Sequence, residues 1–184
     1  MSEGKGAVHH VMVDIETLGT RPGDAIISIG AVILDPGKGI TSTFYVTVDS
    51  ESCKAAGLRA QKSTLEWWAK QSDEARAAAF KGELSLETAL KQFTMWLPPE
   101  NNLLMWGNGA GFDVPLLEAA YRALKMEIPW KFWNARCYRT LRAMFPVETT
   151  QKPADGVPHN ALHDAMVQAY MLQDMVKVYN LKLA

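Results

Sequence analysis

At 184 residues, 48% apolar and with a formal net charge of −1, the chain suits one globular domain and is excluded from the disordered-tail and strongly basic duplex-coating classes. No apolar run approaches the roughly 20 residues of a membrane span, and the opening MSEGKGAVHH lacks the apolar stretch of a secretory signal, so no membrane partner is expected. The two cysteines, Cys53 and Cys137, have no paired-ligand spacing, which argues against a disulfide framework or zinc knuckle and for a reducing, cytoplasmic setting.

Three β-like runs lead the chain: Val8 to Ile15, Ala25 to Leu34 and Thr41 to Val48. The turn-forming stretches RPGD and DPGKG separate them, so an antiparallel meander is the simplest pairing. From Glu51 the period becomes helical, through STLEWWAKQ, DEARAAAF and LSLETALKQFTMWL. Ser63 is the predicted N-cap of the first of these, with Glu66 three residues on as in a capping box. LLMWG, Leu103 to Gly107, reads as a fourth strand, and FDVPLLEAAYRALK as a helix with Pro115 in its first turn. An extended piece around WKFWN is expected before the helix RCYRTLRAMF. The polar, Pro-rich residues 146–158 read as a mobile loop. A last helix from about Asn160 to Val178 has an apolar stripe of Leu162, Ala165, Met166, Ala169, Tyr170 and Val176. With no internal repeat or linker, residues 1–184 form a single α/β domain in this reading: a three-stranded meander, then strands alternating with helices.

The first strand holds an anomaly. In VMVDIETLGT, Asp14 and Glu16 are two apart, so they share a strand face while Ile15 points the other way. Two like charges there repel, and burying either unpaired is costly. Two further acids stand at helix starts: Asp113, after the glycine-rich turn in WGNGAGFD, and Asp164 in HNALHDAMVQA. Taken singly, Asp113 is an ordinary first-turn residue favoured by the helix dipole and Asp164 a solvated helix residue. Together, the four acids could hold two hard divalent cations about 4 Å apart, which would offset the repulsion between Asp14 and Glu16.

DIET at 14–17, NGAGFD ending at Asp113 and HNALHD at 159–164, in that order, resemble the DEDD 3′–5′ exonucleases of the RNase H-like fold. The spacing from His159 to Asp164 matches the histidine subgroup, DEDDh. IISIGAV, LEWW at 65–68 and RCYRT at 136–140 make the chain most similar to RNase T-like exoribonucleases of bacteria and phages. The resemblance implies an α/β fold with an RNase H-like mixed sheet, a three-stranded antiparallel meander plus parallel strands, flanked by helices. It implies a metal-dependent 3′–5′ exonuclease that releases nucleoside 5′-monophosphates from single-stranded or frayed 3′ ends. By the same resemblance, Asp14, Glu16, Asp113 and Asp164 would bind two Mg²⁺ or Mn²⁺ ions, and His159 would be the general base, a role suited to an imidazole of ordinary pKa about 6.5. Homodimers are common among RNase T-like relatives, so a homodimer is a candidate assembly.

His163 has no HExxH context, and His9 and His10 have no ligand-like spacing to this cluster. For single-stranded substrate, stacking and cationic contacts are the general devices. Trp67, Trp68, Trp106 and Phe112 are the aromatic candidates, and adjacent Trp67 and Trp68 cannot both face the core fully. Family analogy adds Leu18 as a wedge beside the terminal base and Thr17 next to it. Lys131, Arg136, Arg139 and Arg142 supply positive charge, although such residues are commonly a solvated helix face. RNA is the substrate implied by family similarity. Single-stranded DNA is the near alternative, and a catalytically idle nucleic-acid-binding relative the alternative of another class.

Overall fold

A computed structural model describes residues 8–99, 102–149, 153 and 159–183. Most of the Pro-rich segment expected to be a mobile loop, and residues 1–7, lie outside that set. β1 (His9–Thr17), β2 (Ile26–Asp35) and β3 (Gly39–Thr47) form the antiparallel meander. β4 (Leu103–Gly107) pairs parallel to β1, and β5 (Ala135–Cys137) parallel to β4, giving the order β3-β2-β1-β4-β5. This is the mixed sheet flanked by helices that the sequence leads one to expect.

Strand alternation sorts the two cores. Val11, Val13 and Ile15 of β1 enter the larger one, under α1 (Ser50–Ala55), α2 (Lys62–Trp68), α3 (Asp73–Ala79), α4 (Leu86–Trp96) and α5 (Asp113–Ala123). Met12 faces the opposite side, where Leu104, Trp106 and Tyr138 meet α7 (Ala161–Tyr179) beside α6 (Tyr138–Met144). Asp14 and Glu16 continue the Met12 side of the strand, so both emerge on the α7 face at the carboxyl end of β1. Among the described residues no helix is long and apolar enough to cross a membrane.

α7 starts with Asn160, whose Oδ1 accepts from the His163 backbone N–H at 3.1 Å. Its buried side differs from the stripe read from sequence: Ala161, Ala165, Gln168, Ala169, Leu172 and Met175 are buried, while Leu162, Met166, Tyr170 and Val176 are half-buried. The reason is a close approach at Gly30. A Cβ there would lie 2.1 Å from the carbonyl carbon of Ala161 and 2.1 Å from the backbone nitrogen of Leu162. Only small residues fit where the helix meets the sheet, so the alanines take the contact. Leu172 and Met175 then anchor the far end, each worth about 1.5–3 kcal/mol in apolar burial.

Two local expectations are corrected. Ser63 lies inside α2, which begins at Lys62 with Gln61 at the N-cap. Gln61 is pinned by tertiary bonds: its N–H donates to the Leu18 carbonyl at 2.7 Å and its Nε2 to Asp24 Oδ2 at 2.6 Å. Those bonds start the helix earlier than the local capping pattern would. WKFWN is not the extended piece either; Phe132–Asn134 form a 3₁₀ turn and the strand follows at Ala135. The turn is closed by the Asn134 N–H donating to the Lys131 carbonyl at 2.9 Å, which leaves Ala135 to Cys137 to pair with β4.

Gly30→Ala should destabilise the protein by about 1–3 kcal/mol, since neither contact at that position is a flexible side chain that could give way. Urea melts would show it as a lower midpoint with an unchanged slope; an unaltered midpoint would mean that α7 can move off the sheet freely.

Candidate active site

Three elements deliver the acidic cluster, and the residue before the N-cap of the last adds an imidazole. β1 brings Asp14 and Glu16 on one face, with Ile15 buried behind them. Asp113 is the first residue of α5, beyond a turn that Gly109 makes with φ at 142°. Its Oδ2 accepts from the Asn108 N–H at 2.6 Å, and Gly107 leaves the room, because a Cβ there would be 2.9 Å from that oxygen. Asp164 sits in the first turn of α7. His159 precedes the N-cap with φ at 61°, a left-handed conformation that turns the chain immediately before the helix. All five residues line one cleft of about 480 Å³. Ligand-capable atoms of Glu16, His159 and Asp164 lie within 4.8 Å of one another.

Burial makes this cluster electrostatically expensive. The Asp14 carboxyl is pushed well above the ordinary range, first by burial and then by the charges of Asp113, Glu16 and Asp164. Glu16 rises from 4.5 to about 8, from burial and then from Asp164 and Asp113. Asp113 rises only to about 6, because the Asn108 amide and the nearby Arg139 guanidinium counter its burial. Asp113 Oδ1 is buried and has no hydrogen-bond partner. Hard oxygen donors, mutual repulsion and an orphaned buried carboxylate oxygen all suit divalent cations with an affinity for carboxylate.

The walls of the cleft are aromatic and polar. Trp68 is buried, and its Nε1 donates to the Thr17 carbonyl at 2.9 Å, tying α2 to the end of β1. Trp67 is 41% exposed, with its ring centroid 4.9 Å from that of His159. The adjacent tryptophans thus divide as their positions on one helix require: one packs and the other is available. Thr17, Phe112 and Arg139 also line the cleft, and Arg139 Nε donates to Asn108 Oδ1 at 3.4 Å.

Three of the residues proposed for substrate contact are placed elsewhere. Leu18 is buried in the larger core, its N–H bonded to the Ala25 carbonyl. Trp106 is buried beneath α7, donating from Nε1 to His10 Nδ1 at 3.1 Å. β4 is covered on both faces, so Trp106 is packed away although it shares the Met12 side of the sheet with the acids. Arg136 is outside the cleft lining, and its guanidinium donates to the Trp133 and Ala135 carbonyls at 2.9 and 3.1 Å.

Conversely, Gln168 is in the cluster without having been singled out. It is buried, and its Nε2 donates to Asp14 Oδ1 at 2.8 Å. The signal was present in the sequence, since residue 168 is one helical turn beyond Asp164 and shares its face. Asn108, which supports both Asp113 and Arg139, had no such periodic signal. His163, without an HExxH context in the sequence, is nonetheless in contact with the cluster: its Nδ1 lies 3.2 Å from Asp164 Oδ1.

A family model described as the Rv2179c-like 3′–5′ exoribonuclease domain matches residues 9–176. The exodeoxyribonuclease of Enterobacteria phage T4 is 27% identical over 197 aligned positions, which span 88% of this chain and 86% of that protein. Among solved structures, exonuclease X in complex with 5′-overhanging duplex DNA superposes with a TM-score of 0.61 at 17% identity, over 94% of each chain. The nuclease domain of 3′hExo, a DEDDh family member bound to rAMP, gives 0.61 at 15% identity, over 95% of this chain and 94% of that one. Exonuclease I of E. coli with a dA13 oligonucleotide gives 0.62 at 16% identity, over 94% of this chain and 41% of that one. At such identities the structural matches establish the fold, that of the DEDDh exonucleases.

The raised carboxyls set a pH dependence for the metal-free protein. Folded Glu16 keeps its proton up to about 8, whereas an ordinary glutamate releases it near 4.5, so the folded state binds protons that the unfolded chain has lost. That penalty is absent at acidic pH, grows as pH rises above 4.5, and is complete beyond about 8. In EDTA, thermal stability should therefore fall from pH about 5 to about 8.5. Glu16→Gln should flatten the fall and raise Tm at the alkaline end, by about 2–4 °C per kcal/mol relieved. A Glu16→Gln melt that tracks the wild type at every pH would contradict this.

Proposed function

Because the chain belongs to the family of Rv2179c-like 3′–5′ exoribonuclease domains, we propose that it acts, as a single domain over its whole length, as a metal-dependent 3′–5′ exonuclease on single-stranded or frayed 3′ ends. The observation that carries this reading is the convergence of Asp14, Glu16, Asp113, Asp164 and His159 on one cleft, with Asp113 Oδ1 left without a partner. A module that only bound nucleic acid would have no use for buried acids facing a phosphate chain, which disfavours the idle-binder alternative.

Asp14, Glu16 and Asp164 would hold one Mg²⁺ or Mn²⁺, and Asp14 with Asp113 a second. When bound, such a pair stabilises negative charge on the attacking and leaving oxygens of a phosphodiester. His159, beside Glu16 and Asp164, takes the proton from the attacking water. The water oxygen bonds to phosphorus as the bond from phosphorus to the 3′ oxygen breaks. The terminal nucleotide leaves as a nucleoside 5′-monophosphate, and the shortened strand keeps a 3′ hydroxyl. The exposed Trp67 ring offers a stacking face for a base, with Phe112 and Thr17 bounding the same space, and Arg139 reaches the phosphate side. Trp68 holds this wall in place through Thr17. Gln168 orients Asp14 by holding one of its oxygens.

RNA is the proposed substrate, supported by the description of the matching family model. Single-stranded DNA is the second reading, favoured by the name of the phage T4 relative, an exodeoxyribonuclease.

Incubating 5′-labelled single-stranded RNA and DNA with Mg²⁺ or Mn²⁺ should give ladders shortened from the 3′ end, abolished by EDTA and by Asp14→Ala. His159→Ala should keep strand binding within about threefold but lose about 10²- to 10⁴-fold in kcat; unchanged turnover would remove it as the base. Gln168→Leu should weaken Mn²⁺ binding by about 10- to 100-fold in titration calorimetry while the circular dichroism spectrum stays native. If the metal affinity is retained, the hydrogen bond to Asp14 is structural only.

A further inference from the structure

The segment 128–147 contains four cations, Lys131, Arg136, Arg139 and Arg142, and no acidic residue, within a chain whose net charge is −1. It includes the edge strand β5 and, in its second half, reaches the acids. Arg139 lines the cleft, and Arg142 lines a neighbouring hollow of about 210 Å³ that also reaches Asp14 and Asp164. At the far end of the segment, Phe132 and Trp133 are 77% and 62% exposed. Their rings pack edge to face, with centroids 4.9 Å apart and planes at 81°. Large aromatics left this open are unusual unless something covers them. The backbone beneath them is held firmly. Arg136 donates to the Trp133 and Ala135 carbonyls, Asn134 closes the 3₁₀ turn on Lys131, and β5 locks the next three residues to β4.

We propose that Phe132 and Trp133 form a stacking platform for bases upstream of the scissile end, with Lys131, Arg139 and Arg142 tracking the phosphates between platform and cleft. The occupant is single-stranded nucleic acid. Three cations besides the backbone-bound Arg136, in a segment without an acid, complement a phosphate chain, and two open aromatic faces complement unpaired bases. Trp133 and Arg139 are six residues apart, hence at most about 20 Å. At a stacked rise of about 3.4 Å per nucleotide, a strand leaving the cleft reaches the platform within about six nucleotides. In the proposed binding mode a strand of three nucleotides occupies the cleft without engaging the platform, so the protein should discriminate by length without reading sequence. The inference rests on the exonuclease reading of the cleft, and binding without cleavage separates the two.

Anisotropy in EDTA, where strands stay intact, reads the platform using 5′-fluorescein-labelled single strands of three and fifteen nucleotides. Cleavage of the trimer with Mg²⁺ or Mn²⁺ reads the cleft. The double variant Phe132→Ala, Trp133→Ala should bind the fifteen-mer at least about tenfold more weakly, while its trimer binding and trimer cleavage stay at wild-type values. Trp133→Phe should restore most of the lost affinity. Lys131→Ala should reduce the slope of log affinity against log salt by about 0.7 for the fifteen-mer. If fifteen-mer binding is unchanged in the double variant while the trimer is cleaved normally, the platform is refuted and the exonuclease reading survives. If no strand is cleaved even by wild type but the double variant loses fifteen-mer binding, the platform stands and the exonuclease reading falls. A wild-type dimer in size-exclusion chromatography that the double variant turns into a monomer would assign the pair to a contact between copies and overturn the proposal.

Discussion

Crowding four carboxylates into one cleft, three of them shifted by burial, is the constraint around which this fold is arranged. Burial alone raises Asp14, Glu16 and Asp113 above the ordinary carboxylate range, and their mutual repulsion adds to the shift for Asp14 and Glu16. Such a cluster opposes folding, so it exists only because its backbone is held elsewhere. β1 is central in the sheet, paired on both sides, and its Val11, Val13 and Ile15 are embedded in the larger core. α7 is held by the alanine contact against Gly30 and by Leu172 and Met175 further along. Neither element can splay to relieve the repulsion without exposing apolar surface. What remains to offset the charge is a bound proton or a divalent cation, so a site of this kind is kept ready at a cost to stability.

The supports of the cluster are themselves unequal. Asp113 has a backbone amide and a guanidinium near it and is shifted least; Asp14 has one side-chain amide, from Gln168, and is shifted strongly. This graded support orders the site along the chain. The α5 end is partly compensated by the protein itself, whereas the β1–α7 end has less support from the chain. His159 stands at that second end, beside Glu16 and Asp164 and against the Trp67 ring, where charge is least balanced by the protein.

Much of this was legible in the sequence because the signals were local. Apolar runs bounded by turn residues marked β1 and β2, and period-two alternation the shared face of Asp14 and Glu16; Pro115 and the glycine-rich turn marked the start of α5. The ordering of DIET, NGAGFD and HNALHD was enough to point to convergence. What was missed depends on tertiary contacts. Ser63 has the composition of a cap, but Gln61 is tied to Leu18 and Asp24, residues roughly forty positions away. The α7 stripe looks right by hydrophobicity, yet the contact with Gly30 selects for small volume instead. Trp106 and Leu18 were weighed as aromatic and apolar residues near motifs, when their strand register and turn geometry commit them to the cores. Phe132 and Trp133 show the converse, apolar residues with no periodic partner that the fold leaves outside.

A net charge near zero is a poor guide to partners when the charges are segregated. Acids are concentrated where β1, α5 and α7 meet, and the run from Ile128 to Val147 is purely cationic. A phosphate chain approaching the acids alone would be repelled; approaching along the cationic run, it is attracted first and meets the acids only at its end. On the proposed reading, electrostatics of this kind sets direction as well as affinity, with the strand terminus in the acidic cleft and the remainder on the basic segment. The same separation accounts for the exposure of the aromatic pair: stacking faces are of use only where the backbone they accompany is already held by positive charge, and along this chain that is the segment on which Phe132 and Trp133 sit.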